Sequence, residues 1–344
     1  METKYISECE IKKRLDISKC VNSIENMYKV MSTGAYIMGG SNANSHGMRI
    51  SFARDDGQKN TYIAMPGWLG GEYNLVGLKW HGPNLRGAVE GTTTHTLILN
   101  EPNTGFPLAI LPANDITTYR TAALSLYAAK LLKKDVYELG LIGAGRIHTA
   151  FIQGILQIYP NIKKIKVKGK SELGVAKLIS EFKNNTNIEF LVVDSIEEAV
   201  KNSDIISINP GFEFDTLADM PIIRSKWLKE NSLTICLSFV KFSDDFLINE
   251  AIKIADNYAM YENYLEEFGY PVYPKFSSLG SRFIDLVKEK RCAKDDVIDI
   301  FDILSGRKKE LLQTNKPMVF SSGGMICEDI AVAYDLLKCD MLRK

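Results

Sequence analysis

One short stretch decides the fold: residues 139–148 have the sequence Leu-Gly-Leu-Ile-Gly-Ala-Gly-Arg-Ile-His. An apolar run that passes through Gly-x-Gly into a helical pattern is typical of the first βαβ unit of a dinucleotide-binding domain. Gly143 permits the tight turn, and Gly145 lets the backbone approach a pyrophosphate at the N-terminus of the following helix. The pattern is incomplete, because His148 stands where a third glycine is usual. A glycine turn without a ligand is the alternative interpretation.

Strands and helices alternate from residue 138 onwards and predict a parallel, doubly wound sheet. Residues 138–142 and 164–168 are predicted strands, and they flank a helical pattern at 147–158. Further predicted strands follow at the spacing that βαβ units require. The residues before the motif contain several predicted strands and only a few helices.

The position of the motif in the middle of a 344-residue chain predicts the domain organisation. This length suggests two domains. We therefore expect an α/β protein in which a Rossmann doubly wound domain, residues 116–314, is inserted after a strand-rich substrate-binding and dimerisation domain. The substrate-binding and dimerisation domain consists of residues 1–115 plus 315–344.

Three local predictions concern segments close to the candidate sites. A helix over 115–134 takes Asp115 or Thr117 as its N-cap, because these side chains can accept from backbone N–H groups. Residues 221–230 are predicted to form a helix between two strands. A loop over 320–324 leads into the last helix, which we expect to fold back on the N-terminal domain.

Composition narrows the class of protein. Hydrophobic residues make up 45% and charged residues 24% of the chain, as in a soluble globular protein. Because 42 Lys and Arg balance 42 Asp and Glu, the net charge favours neither nucleic acid nor an anionic membrane as a partner. No signal peptide or membrane span is predicted. Six scattered cysteines without CxxC pairs predict reduced thiols in a cytoplasmic protein and no metal site.

Several motifs in a fixed order resemble the ornithine cyclodeaminase/μ-crystallin family. They are the strand with Lys79, the turn at 100–105, the helix with Arg120, the central Gly-x-Gly and the tail at 324–329. Residues 63–72 and 77–82 resemble the branch of dehydrogenases that release diaminopropionate from an amino-carboxyethyl-glutamate in siderophore biosynthesis. The resemblance implies a nicotinamide cofactor, chemistry at an amino-acid Cα–N bond, and a homodimer built through the substrate domains.

The resemblance also implies a substrate site. Arg49, Lys79 and Arg120 would converge on an amino-acid or imino-acid carboxylate, because arginine offers two parallel N–H groups to such an anion. Lys79 would bind the carboxylate, or assist proton transfer at the imine nitrogen if burial lowers its pKa. We expect the substrate Cα to face C4 of the nicotinamide. The predicted substrate-binding residues are Arg49, Met65, Lys79, Arg120 and Gly324, and the predicted catalytic residues are Lys79, Arg120 and Lys241.

Lys241 departs from the family pattern. In the cyclodeaminases an acidic residue after the fifth strand of the nucleotide domain handles the substrate amine and the water, and here its position falls on Lys241. A charged lysine cannot accept a proton and would repel the δ-amine of ornithine. Lys241 therefore favours a substrate with an additional carboxylate, or simple imine reduction. Two alternatives are a shifted register in which Asp244 or Asp245 supplies the acid, and a surface role for Lys241.

The end of the second strand predicts NADP as the cofactor, with NAD as the second choice. NAD enzymes place an acid there for the ribose hydroxyls, but residues 166–171 contain none. Lys168, Lys170 and Ser171 would instead bind a 2′-phosphate, unless they lie on a solvated edge. The predicted nucleotide-binding residues are Thr117, Gly143, Ala144, Gly145, Arg146, Ile147, Lys168, Lys170, Ser171, Asn209 and Ser238.

Three functions are compatible with the sequence. The first is an NAD(P)-dependent dehydrogenase or reductase that acts on an amino-acid-derived imine or secondary amine. The second is a cyclodeaminase, in which the cofactor accepts a hydride and returns it, so that no net redox change occurs. The third is a non-catalytic, crystallin-like nucleotide-binding protein.

Overall fold

The computed structural model describes residues 2–55, 57, 59–83, 94–184, 187–210, 220–308, 310 and 313–341. These residues divide into two compact units, residues 1–124 with 324–344 (unit 1) and residues 125–323 (unit 2). The division lies close to the sequence-derived boundaries at 115 and 315 without coinciding with them. The roles predicted for the two domains remain predictions.

Unit 1 is built on a mainly antiparallel sheet. Its strands are β1 (Lys4–Tyr5), β2 (Tyr36–Ile37), β3 (Met48–Ala53), β4 (Lys59–Leu69), β5 (Leu75–His81), β6 (His95–Asn100) and β7 (Pro107–Pro112). Their order in the sheet is β1-β7-β6-β5-β4-β2, and β3 also pairs with β4. Its helices are α1 (Glu8–Arg14), α2 (Ile17–Met31), the first part of α3 (Asn114–Leu132) and, from the C-terminal segment, α10 (Ile326–Met341).

The C-terminal helix folds back on unit 1, as the sequence predicts. Helix α10 packs against α2, β4 and β5. Helix α2 begins at its N-cap Asp16, whose side chain accepts from the backbone N–H of Lys19. Its buried residues recur every three or four positions, which gives the helix one apolar face for the core.

Unit 2 is a Rossmann-type domain with a parallel sheet. Its strands are β8 (Glu138–Ile142), β9 (Lys164–Lys168), β10 (Glu189–Val192), β11 (Ile205–Ile208), β12 (Leu233–Cys236), β13 (Ile252–Ala255), β14 (Val297–Asp299) and β15 (Met318–Ser321). Its own helices are α4 (Arg146–Ile158), α5 (Glu172–Ser180), α6 (Ile196–Val200), α7 (Tyr258–Phe268), α8 (Leu279–Lys288) and α9 (Ile300–Leu304). The order β10-β9-β8-β11-β12-β15-β13-β14 reverses direction between β8 and β11. At such a switch point, doubly wound folds bind their ligands beyond the carboxyl ends of the strands.

Three local predictions are wrong. Helix α3 begins at Asn114, ahead of both predicted N-caps. The segment 221–230 contains only a short 3₁₀ turn, Ser225–Trp227, because Ile222 bridges to Lys241 in the manner of a strand. The predicted loop 320–324 begins inside β15, whose residues are buried between β12 and β13. In the second and third cases strand pairing overrides the local signal.

Candidate active site

Four buried charged side chains meet in unit 1. Lys79 Nζ donates to Asp329 Oδ2 at 2.6 Å, and both side chains are completely buried. Arg120 Nη1 donates to Glu328 Oε2 at 2.8 Å, and its Nε lies 3.7 Å from Asp329 Oδ1. Burial of an uncompensated charge is costly, and here two cations balance two anions. We call these four residues the ionic cluster.

Glycines on two neighbouring strands let α10 lie close enough to the sheet for Glu328 and Asp329 to reach the ionic cluster. A Cβ at Gly67 would lie 2.4 Å from Ile326 Cγ2, and a Cβ at Gly77 would lie 2.5 Å from Ile330 Cγ1. Since Ile326 and Ile330 are one helical turn apart, α10 lies closely against β4 and β5 along this face. Any larger residue at either glycine would push the helix, and its acids, away from Lys79.

Burial makes Lys79 a weaker base than an ordinary lysine. Loss of hydration lowers its pKa to about 8, Arg120 acts in the same direction, and the Asp329 carboxylate opposes the shift. The ammonium group is therefore protonated at neutral pH but gives up its proton more readily than a solvated lysine. Such a group can bind a carboxylate and can also move a proton.

Gly324 shapes the space beside Arg120. Its φ of +76° favours glycine, and a Cβ there would lie 2.5 Å from Arg120 Nη1. The Gly324 carbonyl lies 2.9 Å from Nδ1 of His46, so that nitrogen is the donor. Burial, with Arg49 as the next contribution, lowers the pKa of His46 to about 3 and keeps this ring neutral.

The structure brings several predicted substrate residues together in unit 1. Lys79, Arg120 and Gly324 are in or directly beside the ionic cluster. Met65 lies opposite Lys79 in the β4–β5 pairing and is buried. Arg49 lies on β3 and contributes to the field at His46.

Some residues of this site were not predicted from the sequence. Glu328 and Asp329 were noticed only as part of a tail motif, and neither was assigned a role. The adjacent acids of the tail motif could have indicated such a role, because a buried lysine and a buried arginine each require a carboxylate partner. His46 was missed as well, since the stretch that contains it does not follow the family pattern.

In unit 2, the glycine turn has the geometry that a pyrophosphate requires. Gly143 has a φ of +112°, and a Cβ there would lie 2.0 Å from the Asn209 carbonyl oxygen. Gly145 is the N-cap of α4 and makes no side-chain cap, and no described atom lies within 4 Å of the place of its Cβ. Backbone N–H groups at this helix end therefore have room for an anion. The residues present fit a dinucleotide.

Most of the predicted nucleotide residues lie along one edge of this sheet. Residues 143–147 follow β8, Lys168 ends β9, Lys170 and Ser171 come next, Asn209 follows β11, and Ser238 follows β12. These four strands are neighbours and parallel, so their carboxyl ends form a single edge. Ser171 is the N-cap of α5 and accepts from the Gly174 N–H at 3.2 Å. Thr117 belongs to unit 1, where its hydroxyl lies 3.5 Å from Asp329 Oδ1.

The side chain of His148, which stands in place of the third glycine, makes structural contacts to the turn. Its Nδ1 lies 2.8 Å from the Gly143 carbonyl oxygen and its Nε2 lies 3.0 Å from Ser207 Oγ. The ring is completely buried, and burial lowers its pKa to about 4, so it stays neutral. His148 thereby ties the glycine turn to strand β11, on the other side of the switch point.

Replacing His148 by Ala is expected to weaken nucleotide binding about tenfold or more, because the turn loses both anchors and a cavity forms beneath it. Fluorescence titration with the reduced cofactor measures this loss. In His148→Gln, one hydrogen bond can be kept, so its affinity is expected to lie between those of His148→Ala and the wild type. Unchanged affinity in a folded His148→Ala protein would contradict this role.

Among the described residues, the two acids that a shifted register would place near Lys241 already have partners. Lys241 is half-buried and pairs through its backbone with the segment at Ile222. Asp244 accepts from Arg282 at 2.9 and 2.7 Å and also from Arg291, and these arginines lower its pKa. Asp245 is exposed and accepts from Asn249. Within the described residues, no group of three or more His, Cys, Asp or Glu side chains is arranged to hold a metal ion.

The order of motifs and the two units agree with a single family of enzymes. The family model described as the ornithine cyclodeaminase/mu-crystallin family matches residues 1–337. The chain belongs to the ornithine cyclodeaminase/mu-crystallin family.

Two curated members of the family are similar to this chain. N-((2S)-2-amino-2-carboxyethyl)-L-glutamate dehydrogenase of Staphylococcus aureus is 28% identical over 204 residues, which cover 57% of this chain and 58% of that protein. The ketimine reductase mu-crystallin of Mus musculus is 26% identical over 243 residues, covering 69% of this chain and 67% of that protein. The match to the first of them thus extends over less than two thirds of its length.

A solved structure of the family has the same fold. Thermococcus litoralis Δ1-pyrroline-2-carboxylate reductase, in complex with NADH and L-proline, superposes with a TM-score of 0.74. The superposition covers 98% of each chain at 20% identity, and at this identity it establishes the fold. None of the described helices is long and apolar enough to cross a bilayer.

Proposed function

We propose that the protein is an NAD(P)-dependent oxidoreductase that acts at the C–N bond of an amino-acid-derived imine or secondary amine. The observation that carries this proposal is Lys79, a completely buried lysine with a lowered pKa, paired with Asp329 beside Arg120. Membership of the family and the names of the two curated relatives support it.

The ionic cluster can perform the steps that this reaction asks of the protein. Lys79 and Arg120 bind the substrate carboxylate through charge-assisted hydrogen bonds. They keep their ion pairs with Asp329 and Glu328 while they do so. In the direction of reduction, Lys79 Nζ gives a proton to the imine nitrogen while the imine carbon gains a hydride, so that C=N becomes CH–NH. Lys79 then regains a proton from solvent. The Gly143–Gly145 turn would hold the pyrophosphate of a nicotinamide dinucleotide, which when bound would supply the hydride or accept it in the reverse direction.

The cyclodeaminase alternative is less well supported. It needs an acid that can take a proton from the substrate amine, and Lys241 stands at that position. Asp244 forms ion pairs with two arginines, so its carboxylate is already bound and is not available to accept a proton from the substrate. A crystallin-like role without catalysis is also less well supported, because it does not require a buried lysine with a lowered pKa such as Lys79.

A screen of turnover tests the proposed function. Keto acids are mixed with ammonia or methylamine, and the absorbance of the reduced nicotinamide is followed in the presence of the protein. We expect absorbance to fall in step with the formation of the amino acid. Conversion of ornithine to proline at constant absorbance would contradict the proposal, and so would nucleotide binding with no turnover in either direction.

We further propose that NADPH is preferred over NADH. Lys168, the last residue of β9, and Lys170, just after it, support this proposal. They stand where NAD enzymes have an acid, and an acid there would repel a 2′-phosphate, whereas a lysine would bind it. Charge-assisted contacts contribute about 1.5–3 kcal/mol each, so one such contact gives a preference of about tenfold or more. Fluorescence titration with both reduced cofactors measures it.

The double variant Lys168→Glu/Lys170→Glu is expected to abolish this preference. The matched control is Lys177→Glu, which adds the same kind of charge change on the exposed side of α5. Tighter binding of NADH by the wild type, or an equal effect of the control, would show that the two lysines do not bind phosphate.

The homodimer is a proposal that an exposed apolar face of the unit 1 sheet supports. Met48, Ile50, Phe52 and Trp80 on this face are 67%, 47%, 51% and 40% exposed. Tyr62 stacks between Phe52 and Trp80, with ring centroids 6.1 and 5.4 Å apart. A continuous apolar patch of this kind usually marks an interface. We also propose a cytoplasmic location, since the described cysteines are free thiols.

Replacing Ile50 by Asp is expected to weaken the dimer about tenfold or more, because a charge would be buried at the interface. Light scattering during size-exclusion chromatography, over a range of concentrations, measures the dissociation. Leu173→Asp is the control, since Leu173 is 82% exposed and belongs to helix α5 of unit 2, not to this sheet. A wild-type protein that is monomeric at all concentrations would contradict the proposal.

A further inference from the structure

Four residues lie in one row across the sheet of unit 1. Arg49 on β3 pairs with Ile63 on β4, Ile63 pairs with His81 on β5, and His81 pairs with His95 on β6. We call these four residues the histidine row. Residues directly opposite each other in antiparallel strands share a face, and His81 is two positions from Lys79. The row therefore lies on the same face of the sheet as Lys79.

His81 packs against an anchored ring, and one of its own ring nitrogens has no hydrogen-bond partner among the described residues. Its ring centroid lies 3.8 Å from that of His95. His95 is itself anchored, with Nδ1 2.7 Å from Thr94 Oγ1 and its backbone N–H donating to Asn114 Oδ1 at 3.0 Å. His81 Nδ1 is buried and makes no hydrogen bond to any described residue. Since buried polar atoms nearly always have a partner, this nitrogen points to a ligand.

The charges around His81 indicate which kind of ligand it would bind. Burial first, and then the charges of Lys79 and Arg120, lower the pKa of His81 to about 4, against the opposing effect of Asp329. The ring is therefore neutral, with one N–H donor and one acceptor nitrogen. Arg49 lies in the same row and Lys79 lies two positions along β5 on the same face, so cations stand on two sides of His81 and favour a negatively charged ligand atom.

We propose that the histidine row is a second substrate subsite, which binds the side-chain carboxylate of a dicarboxylic imino or amino acid. This inference rests on the proposed function, in which Lys79 and Arg120 hold the α-carboxylate. Two residues along a strand span about 7 Å, which suits two carboxylates separated by a glutamate-like chain. His81 contributes a hydrogen bond, and Arg49, at one end of the row, contributes positive charge.

Two substrates of equal length test the subsite. The holoenzyme with its reduced cofactor is given methylamine together with either 2-oxoglutarate or 2-oxopentanoate, which differ only in the terminal carboxylate. We expect kcat/KM to be at least about tenfold higher with 2-oxoglutarate, because a polar subsite discriminates against an analogue that leaves it unpaired.

Variants at His81 should then remove this discrimination. His81→Ala is expected to lower kcat/KM for the 2-oxoglutarate imine by about tenfold or more, mainly through KM, and to change the 2-oxopentanoate value by less than about twofold. In His81→Asn the amide nitrogen can stand near the position of Nδ1, so part of the preference should return. Thr96→Ala is the control, because Thr96 adjoins His95 but points to the opposite face of β6, and it should leave the preference unchanged.

A binding measurement separates this inference from the proposed function. N-methylglutamate and N-methylnorvaline, the two reduction products, are titrated calorimetrically into the enzyme with oxidised cofactor. If neither imine turns over but N-methylglutamate binds more tightly in a His81-dependent way, the subsite stands and the proposed chemistry fails. Equal handling of both imines by the wild type, or an equal loss on both in His81→Ala, overturns the subsite and leaves the proposed function intact.

Discussion

Replacing Lys79 by Met is expected to remove nearly all turnover while nucleotide affinity stays unchanged. The variant loses the ammonium group that lies 2.6 Å from Asp329 and leaves that carboxylate buried beside an apolar side chain. The expected loss of transition-state stabilisation is at least about 2–4 kcal/mol, or about thirty- to a thousandfold in kcat/KM. Steady-state kinetics and fluorescence titration with cofactor measure the two effects. Arg120→Ala should behave in the same way.

A double variant distinguishes a catalytic role of Lys79 from a structural one. Lys79→Met alone should destabilise the fold by about 3–5 kcal/mol, because it breaks a buried ion pair from one side. Adding Asp329→Asn removes the uncompensated charge, so most of the melting temperature should return while turnover stays lost. If turnover returned together with stability, Lys79 would be a structural residue and the assignment of the site would be wrong.

The Rossmann half of the fold could be predicted closely from the sequence. The strands at 138–142 and 164–168 have the predicted bounds, because both carry buried Leu, Ile or Val side chains at the spacing of a βαβ unit. The segment 221–230 resisted prediction for the opposite reason. Its conformation follows from the bridge between Ile222 and Lys241, and no local pattern encodes such pairing.

The site could be predicted only in part, because its partners are far apart in the sequence. Lys79 and Arg120 were found through motifs, but Lys79 and Asp329 are 250 positions apart. Only the approach of α10 to Gly67 and Gly77 brings them together. His81 is a similar case, since its place beside Lys79 depends on the register of β5 with β4 and β6. A one-residue slip would turn it to the other face.

Replacing Gly324 by Ala is expected to impair catalysis much more than its effect on stability would suggest. The new Cβ would lie 2.5 Å from Nη1 and 3.1 Å from Nη2 of Arg120. Arg120 is buried and donates to Glu328 at 2.8 Å, so it cannot move aside without breaking that contact. The displaced guanidinium should lower kcat/KM about tenfold or more, mainly through a higher KM, because a small misplacement of a carboxylate clamp is costly.

Gly105 provides the matched control for this prediction. Its φ of +70° is close to the +76° of Gly324, but no described atom lies within 4 Å of the place of its Cβ. Alanine in this backbone region costs about 1–2 kcal/mol at either position. Gly105→Ala therefore reports the backbone cost alone in thermal unfolding, and Gly324→Ala should lose more stability than that because its methyl group also disturbs the Arg120–Glu328 pair. Only Gly324→Ala should lose activity, because only there does the methyl group meet Arg120, the residue that we propose binds the substrate carboxylate. Equal kinetics in the two variants would mean that the position of Arg120 does not limit the reaction, and that the carboxylate is bound elsewhere.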